Sequence, residues 1–181
     1  MSLLSYLDLT VLVKDGVVTN CPMELVNGAS IDVTLAPKIL IERDQRRRRT
    51  IINYQKREPL RMLEHVMGEE GYPLYPGEFI LASTEQIFNL PNNIAMELRM
   101  KSSAARTGLN NIMACWADPT WHGSSLTLEL INCTRFHTVL LHPGDRVGQV
   151  IFHRCAPVPE DAAYATRGRY NNDAEVSGIK K

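Results

Sequence analysis

Lys101-Ser102-Ser103-Ala104-Ala105-Arg106 puts two cations and two hydroxyls within about one helical turn, followed by Thr107 and Gly108. Ser102 or Ser103 is suited to cap a short helix there, and Gly108 to end it. The first N–H groups of a helix have no intrahelical acceptor. Hydroxyls, N–H groups and Lys101 would then share one mouth, with Arg106 a turn further on, which is chemistry for holding phosphate. An ordinary capped turn carrying two surface cations is the plainer alternative, and the local pattern leaves both open.

A second candidate is Glu129, in the middle of SSLTLELI. Strict alternation sends Leu126, Leu128 and Leu130 to one face and Ser125, Thr127 and Glu129 to the other. A glutamate so placed ordinarily faces water. Were its face covered, for instance by a neighbouring subunit, burial would raise its pKa and suit it to proton transfer. Between the two segments lies ACWADPTWHG, where Trp116 and Trp121 are either core or interface anchors or the walls of a pocket. The five histidines make no H-x-E pattern and no P-C-x-x-C occurs, so the zinc deaminase signature is missing. Walker, G-x-S-x-G and dinucleotide-binding patterns are missing too.

The elements that must position these groups are mostly short strands. ASIDVTL, EFILAS, SSLTLELI, TVLLH and VGQVIF alternate or run apolar, with Pro76-Gly77 and Pro143-Gly144 as type II turn signals. Leu4, Leu7, Val11 and Leu12 follow helical spacing up to Gly16, so one short helix leads the chain. The expected fold is mainly β, a distorted jelly roll or β-sandwich with a few short helices.

At 181 residues with 44% hydrophobic residues, the chain suffices for one core. Its 20 basic residues balance 20 acidic ones, so no global field draws it to nucleic acid or to a membrane. The run Arg46 to Arg49 is flanked by acids and lacks interleaved aromatics, and reads as a solvated loop rather than an RNA site. No apolar run approaches membrane-spanning length, and the N-terminus carries no secretory pattern. Cys21, Cys115, Cys133 and Cys155 form no C-x-x-C pair, which points to reduced thiols and a cytoplasmic setting. From Ala156 the chain turns polar and small, a tail with lid character over an anion.

In order, VNGASIDVTL (26 to 35), YPGEFILASTEQIFNLP (75 to 91), KSSAARTGL (101 to 109), CWADPTWHGSSLTLELIN (115 to 132) and LLHPGDRVGQVIF (140 to 152) resemble the dCTP deaminases of the trimeric dUTPase superfamily. The resemblance implies a dUTPase-like β domain over 1–155 and a nucleotide-covering tail over 156–181. It implies zinc-independent deamination of dCTP to dUTP and ammonia in the supply of dTTP precursors. Lys101, Ser102 and Ser103 would be phosphate ligands, with Ser102 also near the attacking water and Arg106 supporting catalysis. The backbone at Ala114 would orient base and water, and Glu129 would be the general base and acid.

Asp118 matches the residue that, in dUTPase relatives, orients water at the α-phosphate. Some family members carry both activities and make dUMP, and Trp116 stands where those members have an aromatic residue. Tyr164, Arg169 and Tyr170 fall near the family's nucleotide-binding tail positions. The resemblance further implies Mg2+ on the triphosphate, dCTP with dUTP or dTTP as related ligands, and a homotrimer with active sites between subunits. The single-step deaminase is the main expectation; its alternatives are the bifunctional dUMP-forming enzyme and a non-catalytic nucleotide sensor of the same fold. In a virus the setting would be the host cytoplasm. Three departures bear on these: Lys101 replaces the usual arginine, Asp173 stands where glutamine is expected, and NNIMA (110 to 114) is shorter than the family loop and lacks its histidine and threonine.

Overall fold

The computed structural model describes residues 2–42, 51–111, 114 and 116–180. The basic run Arg46 to Arg49 lies outside the described residues. Two five-stranded antiparallel sheets form the body. In the first, Arg146–Arg154 pairs with Ser2–Leu3, Ile94–Met100 and Ile31–Thr34, and Trp116–Ala117 adds to Ile94–Met100. The second runs Leu109–Asn111, Thr127–Asn132, Phe79–Ser83, Lys38–Glu42, Met62–Val66. Smaller sheets join His122–Ser124 to Ile87–Asn89 and Val18–Thr19, and Val139–Leu141 to Tyr72–Leu74. This is the mainly β sandwich that the alternation implies, and among the described residues no sheet closes into a barrel.

The core forms where the alternating faces meet. Leu128 and Leu130 of one sheet, with Leu126 just before their strand, join Val150, Phe152, Met96 and Leu98 of the other in a single buried cluster. Each such side chain contributes roughly 1.5–3 kcal/mol when fully buried. Both Pro-Gly turns form: Glu78 N–H donates to the Tyr75 carbonyl and Asp145 N–H to the His142 carbonyl. Gly77 and Gly144 there take φ of +76° and +84°, which a side chain would strain.

The leading helix is Tyr6–Lys14, and Asp8 reaches back to accept the Ser5 N–H. Its buried face differs from the expected one. Leu9 and Leu12 face the core while Leu7 and Val11 are exposed, and Leu4 is buried from outside the helix, its N–H bound to the Phe152 carbonyl. The helix lies on the sandwich by a narrow stripe, so only residues three apart are covered. Among the described residues no helix is long and apolar enough to cross a membrane. Cys21, Cys133 and Cys155 are free thiols, and burial pushes the Cys21 thiol up to about 11.

Candidate active site

Glu129 stands in the strand Thr127–Asn132, opposite Leu81 of Phe79–Ser83. Its neighbours in the strand, Leu128 and Leu130, are buried inward, so the carboxylate projects to the sheet's other face. That face is not open water. Burial pushes the Glu129 carboxyl up to about 7, against backbone N–H groups of Glu129 itself and of Ala114 that favour the charged form. Its Oε2 is buried without a hydrogen-bond partner among the described residues. A carboxyl balanced near neutrality, with one oxygen free, can both take and return a proton. Sequence reasoning had this group facing water unless a second subunit covered it. The single chain already covers it, and brings Ala114 to it.

The serine-rich segment is arranged differently from the capped turn expected. The helix is Ser102–Arg106, and Lys101 holds the N-cap position without a side-chain cap bond. The reason is the strand before it: Lys101 N–H still donates to the Val147 carbonyl, so the helix begins only afterwards. Ser102 and Ser103 are thus its first two residues, both exposed, as is Arg106. Lys101 is turned to Asp32, its Nζ 2.6 Å from Oδ2. Asp32 is buried in Ile31–Thr34, accepts from Asn27 Nδ2 at 2.9 Å, and has Arg146 at 3.6 Å. Among the described residues no hydrogen bond or ion pair joins Ser102, Ser103 or Arg106 to Glu129.

Asp118 opens a turn. The Trp121 N–H donates to its carbonyl, and Trp121 is buried against Phe88 with ring centroids 5.8 Å apart. Trp121 is therefore a core anchor. Trp116 is half-exposed at 53%, and its indole N–H donates to Asp118 Oδ1 at 2.8 Å.

The tail is packed on this region. The Tyr170 carbonyl accepts from Trp121 Nε1 at 2.9 Å and from Ser124 Oγ at 2.6 Å. The Asp173 carbonyl accepts from Ser125 N–H. Gly123 takes a φ of +63°, which a side chain would strain, and a Cβ there would lie 3.3 Å from the Asn172 Cα of the tail. Tyr164 opens the short helix Tyr164–Arg167 and its hydroxyl accepts the Tyr170 N–H, while Arg169 is exposed. The Asp173 charge that replaces the expected glutamine is met within the tail by Lys180 at 2.8 Å and by Ser177 Oγ at 2.6 Å.

Sequence reading missed Asp32, Ser177 and His153. Asp32 had one signal: a lone acid in the apolar run IDV, whose every residue is buried. Among the described residues no group of three or more His, Cys, Asp or Glu side chains is placed to hold a metal ion.

Comparison with known proteins names the class. The dCTP deaminase-like family matches residues 3–155, and the chain belongs to that family. It is 36% identical to the "dCTP deaminase, dUMP-forming" of Thermobifida fusca over 163 residues, 88% of this chain and 81% of that one. It is 34% identical to the protein so named in Acidothermus cellulolyticus, over 87% of this chain and 83% of that one. A solved structure, the 2'-deoxycytidine 5'-triphosphate deaminase of Agrobacterium tumefaciens, shares the fold with a TM-score of 0.65 at 17% identity. That match covers 84% of this chain, which spans 47% of the Agrobacterium chain. The sequence-based expectation of a reaction stopping at dUTP is overturned here, because these curated relatives are named dUMP-forming.

Proposed function

We propose that this protein converts dCTP to dUMP, ammonia and diphosphate, using one centre for deamination and a second group for cleavage of the triphosphate. Glu129 carries the reading: a half-buried carboxyl near neutrality with a free oxygen is fitted to move protons twice in one turnover. It takes a proton from a water that adds to C4 of the cytosine ring. It hands that proton to ring N3, then takes the proton of the new C4 hydroxyl and gives it to the amino nitrogen, so that the C4–N bond breaks and ammonia leaves as the C4 carbonyl forms. Ala114 N–H holds the carboxylate for that exchange. Asp118 orients a second water at the α-phosphorus, where the bond to the β-phosphate oxygen breaks and diphosphate departs.

Lys101, Ser102 and Ser103 are the triphosphate ligands in this reading, Ser102 also holding the attacking water and Arg106 supporting catalysis. Tyr164, Arg169 and Tyr170 cover the nucleotide from the tail, and Trp116 borders it. Magnesium enters on the triphosphate and neutralises its charge. The exposure of Ser102, Ser103 and Arg106, which share no hydrogen bond or ion pair with Glu129 among the described residues, supports a homotrimer in which one copy's phosphate turn completes another copy's Glu129. The free thiols fit a cytoplasmic setting.

Product analysis by chromatography tests this directly. Incubation with dCTP and magnesium is expected to give dUMP and diphosphate in step with ammonia. Release of dUTP alone would remove the second step, and no product would remove the enzyme reading.

A further inference from the structure

Asp32 is a buried carboxylate with two cations in reach of one oxygen. Its Oδ1 accepts from Asn27 Nδ2 at 2.9 Å, while Oδ2 has Lys101 Nζ at 2.6 Å and Arg146 Nη1 at 3.6 Å. Three neighbouring strands bring these groups together. Asp32 stands in Ile31–Thr34, Arg146 opens Arg146–Arg154 beside it, and Lys101 follows Ile94–Met100 on the far edge of that central strand. A bulge aims the arginine: Arg146 stands opposite Thr34 and Gly148 opposite Val33, which leaves one residue extra. Thr34 and Asp32 share a face of their strand, and without the bulge the buried, apolar Val147 would occupy the place of Arg146.

The two cations are held unequally. Lys101 is within hydrogen-bond distance of Asp32 and Arg146 is not. The other partner of Arg146 is Glu24, 3.5 Å away, and their side chains are 45% and 73% exposed. So exposed a pair is worth little and parts readily. Asp32 differs, because its side chain is 2% exposed and a buried carboxylate stripped of its partner is strongly destabilising. A triphosphate at Ser102 and Ser103 lies beside Lys101 and draws its ammonium by charge. Asp32 then needs a replacement, and a closure from 3.6 Å to about 2.9 Å lets Arg146 supply it.

We propose that Arg146 is a positioning residue for Lys101, taking its place on Asp32 when the triphosphate draws the ammonium away. The inference rests on the proposed role of Lys101 as a phosphate ligand. The guanidinium, with five donors in a fixed fork, can hold Asp32 without leaving Glu24, whereas the lysine carries a compact charge on a flexible stem and can swing to phosphate. Asp32 keeps a cation in both states.

Steady-state ammonia release from dCTP with magnesium tests this. Arg146→Met removes the replacement, so KM for dCTP is expected to rise about tenfold with kcat within twofold, because Lys101 is free in a smaller fraction of the molecules. Glu24→Gln releases Arg146 from its competitor and is expected to lower KM about twofold, a gain absent from the Glu24→Gln, Arg146→Met double variant. Both residues are exposed, so thermal midpoints should match the wild type. An unchanged KM in Arg146→Met would overturn the proposal, as would a rise matched by a fallen midpoint, which would make Arg146 merely structural. A Glu24→Gln gain that persists without Arg146 would also overturn it, since bulk charge would then be the cause. In an Asp32→Asn background Arg146→Met should add nothing; a full rise there would make Arg146 a direct phosphate ligand instead. Should Asp32→Asn not fold, the Glu24 pair of variants decides alone. Lys101→Met separates the two levels. If its KM is unchanged, Lys101 is no ligand and the underlying reading fails; if its KM rises while that of Arg146→Met does not, the replacement alone fails.

Discussion

Glu129 and the segment Lys101–Arg106 come from neighbouring stretches of one chain, yet they are prepared in opposite ways. The Glu129 carboxyl is half-buried, raised to about 7 by desolvation, and left with one buried oxygen unpartnered among the described residues. Ser102, Ser103 and Arg106 lie in the open, and Lys101 is spent on a buried aspartate. Proton transfer needs a group whose pKa is set before substrate arrives, and at Glu129 desolvation outweighs the backbone N–H groups that favour the charged form. Phosphate needs only charge and donors that can be gathered around it when it binds. On the proposed reading, the proton-transfer group is preformed in one chain and the phosphate-binding surface is not.

The contrast can be broken most sharply at Glu129. Glu129→Gln is expected to cut ammonia release by about 10³-fold while nucleotide still binds; substantial turnover in that variant, followed by ammonia assay, would sink the mechanism. Arg106→Ala comes next, with turnover falling about 10²-fold. Because Arg106 is exposed, its thermal midpoint should match that of the wild type. A fallen midpoint with the rate intact would make Arg106 a stability residue and erase the contrast.

The smallest effect sharpens the comparison through pH. A carboxyl raised from 4.5 to about 7 on folding costs nothing below pH 4.5, and its cost grows as pH climbs to about 7 and then levels. Glu129→Gln should therefore match the wild type at pH 4.5 and be more stable at pH 8. The gain is about 1 kcal/mol, discounted because solvent partly reaches the group. Denaturant titrations at the two pH values read this, and equal gains at both would contradict a buried, shifted carboxyl.

Much of the fold was legible because strand alternation has a period that side-chain chemistry displays directly. SSLTLELI and VGQVIF became Thr127–Asn132 and Arg146–Arg154, and both Pro-Gly turns formed where written. The leading helix was legible, but its buried face was not, since Leu7 and Val11 fit the same spacing as a core stripe and are exposed. The serine caps were misplaced for a related reason. A cap is read from residue type, whereas the true start was decided by Lys101 still bonding to Val147 in a strand distant in sequence.

The sequence by itself determined what local geometry controls: the alternating strands, the turns, and which side chains were available for chemistry, Glu129 and Asp118 among them. Only the tertiary structure decided their states. Lys101 meets Asp32 across 69 positions of sequence, the tail folds onto Ser124 and Trp121, and Glu129 is desolvated by a sheet assembled from several segments. Burial is a property of everything packed around a group, so no local pattern could have announced it.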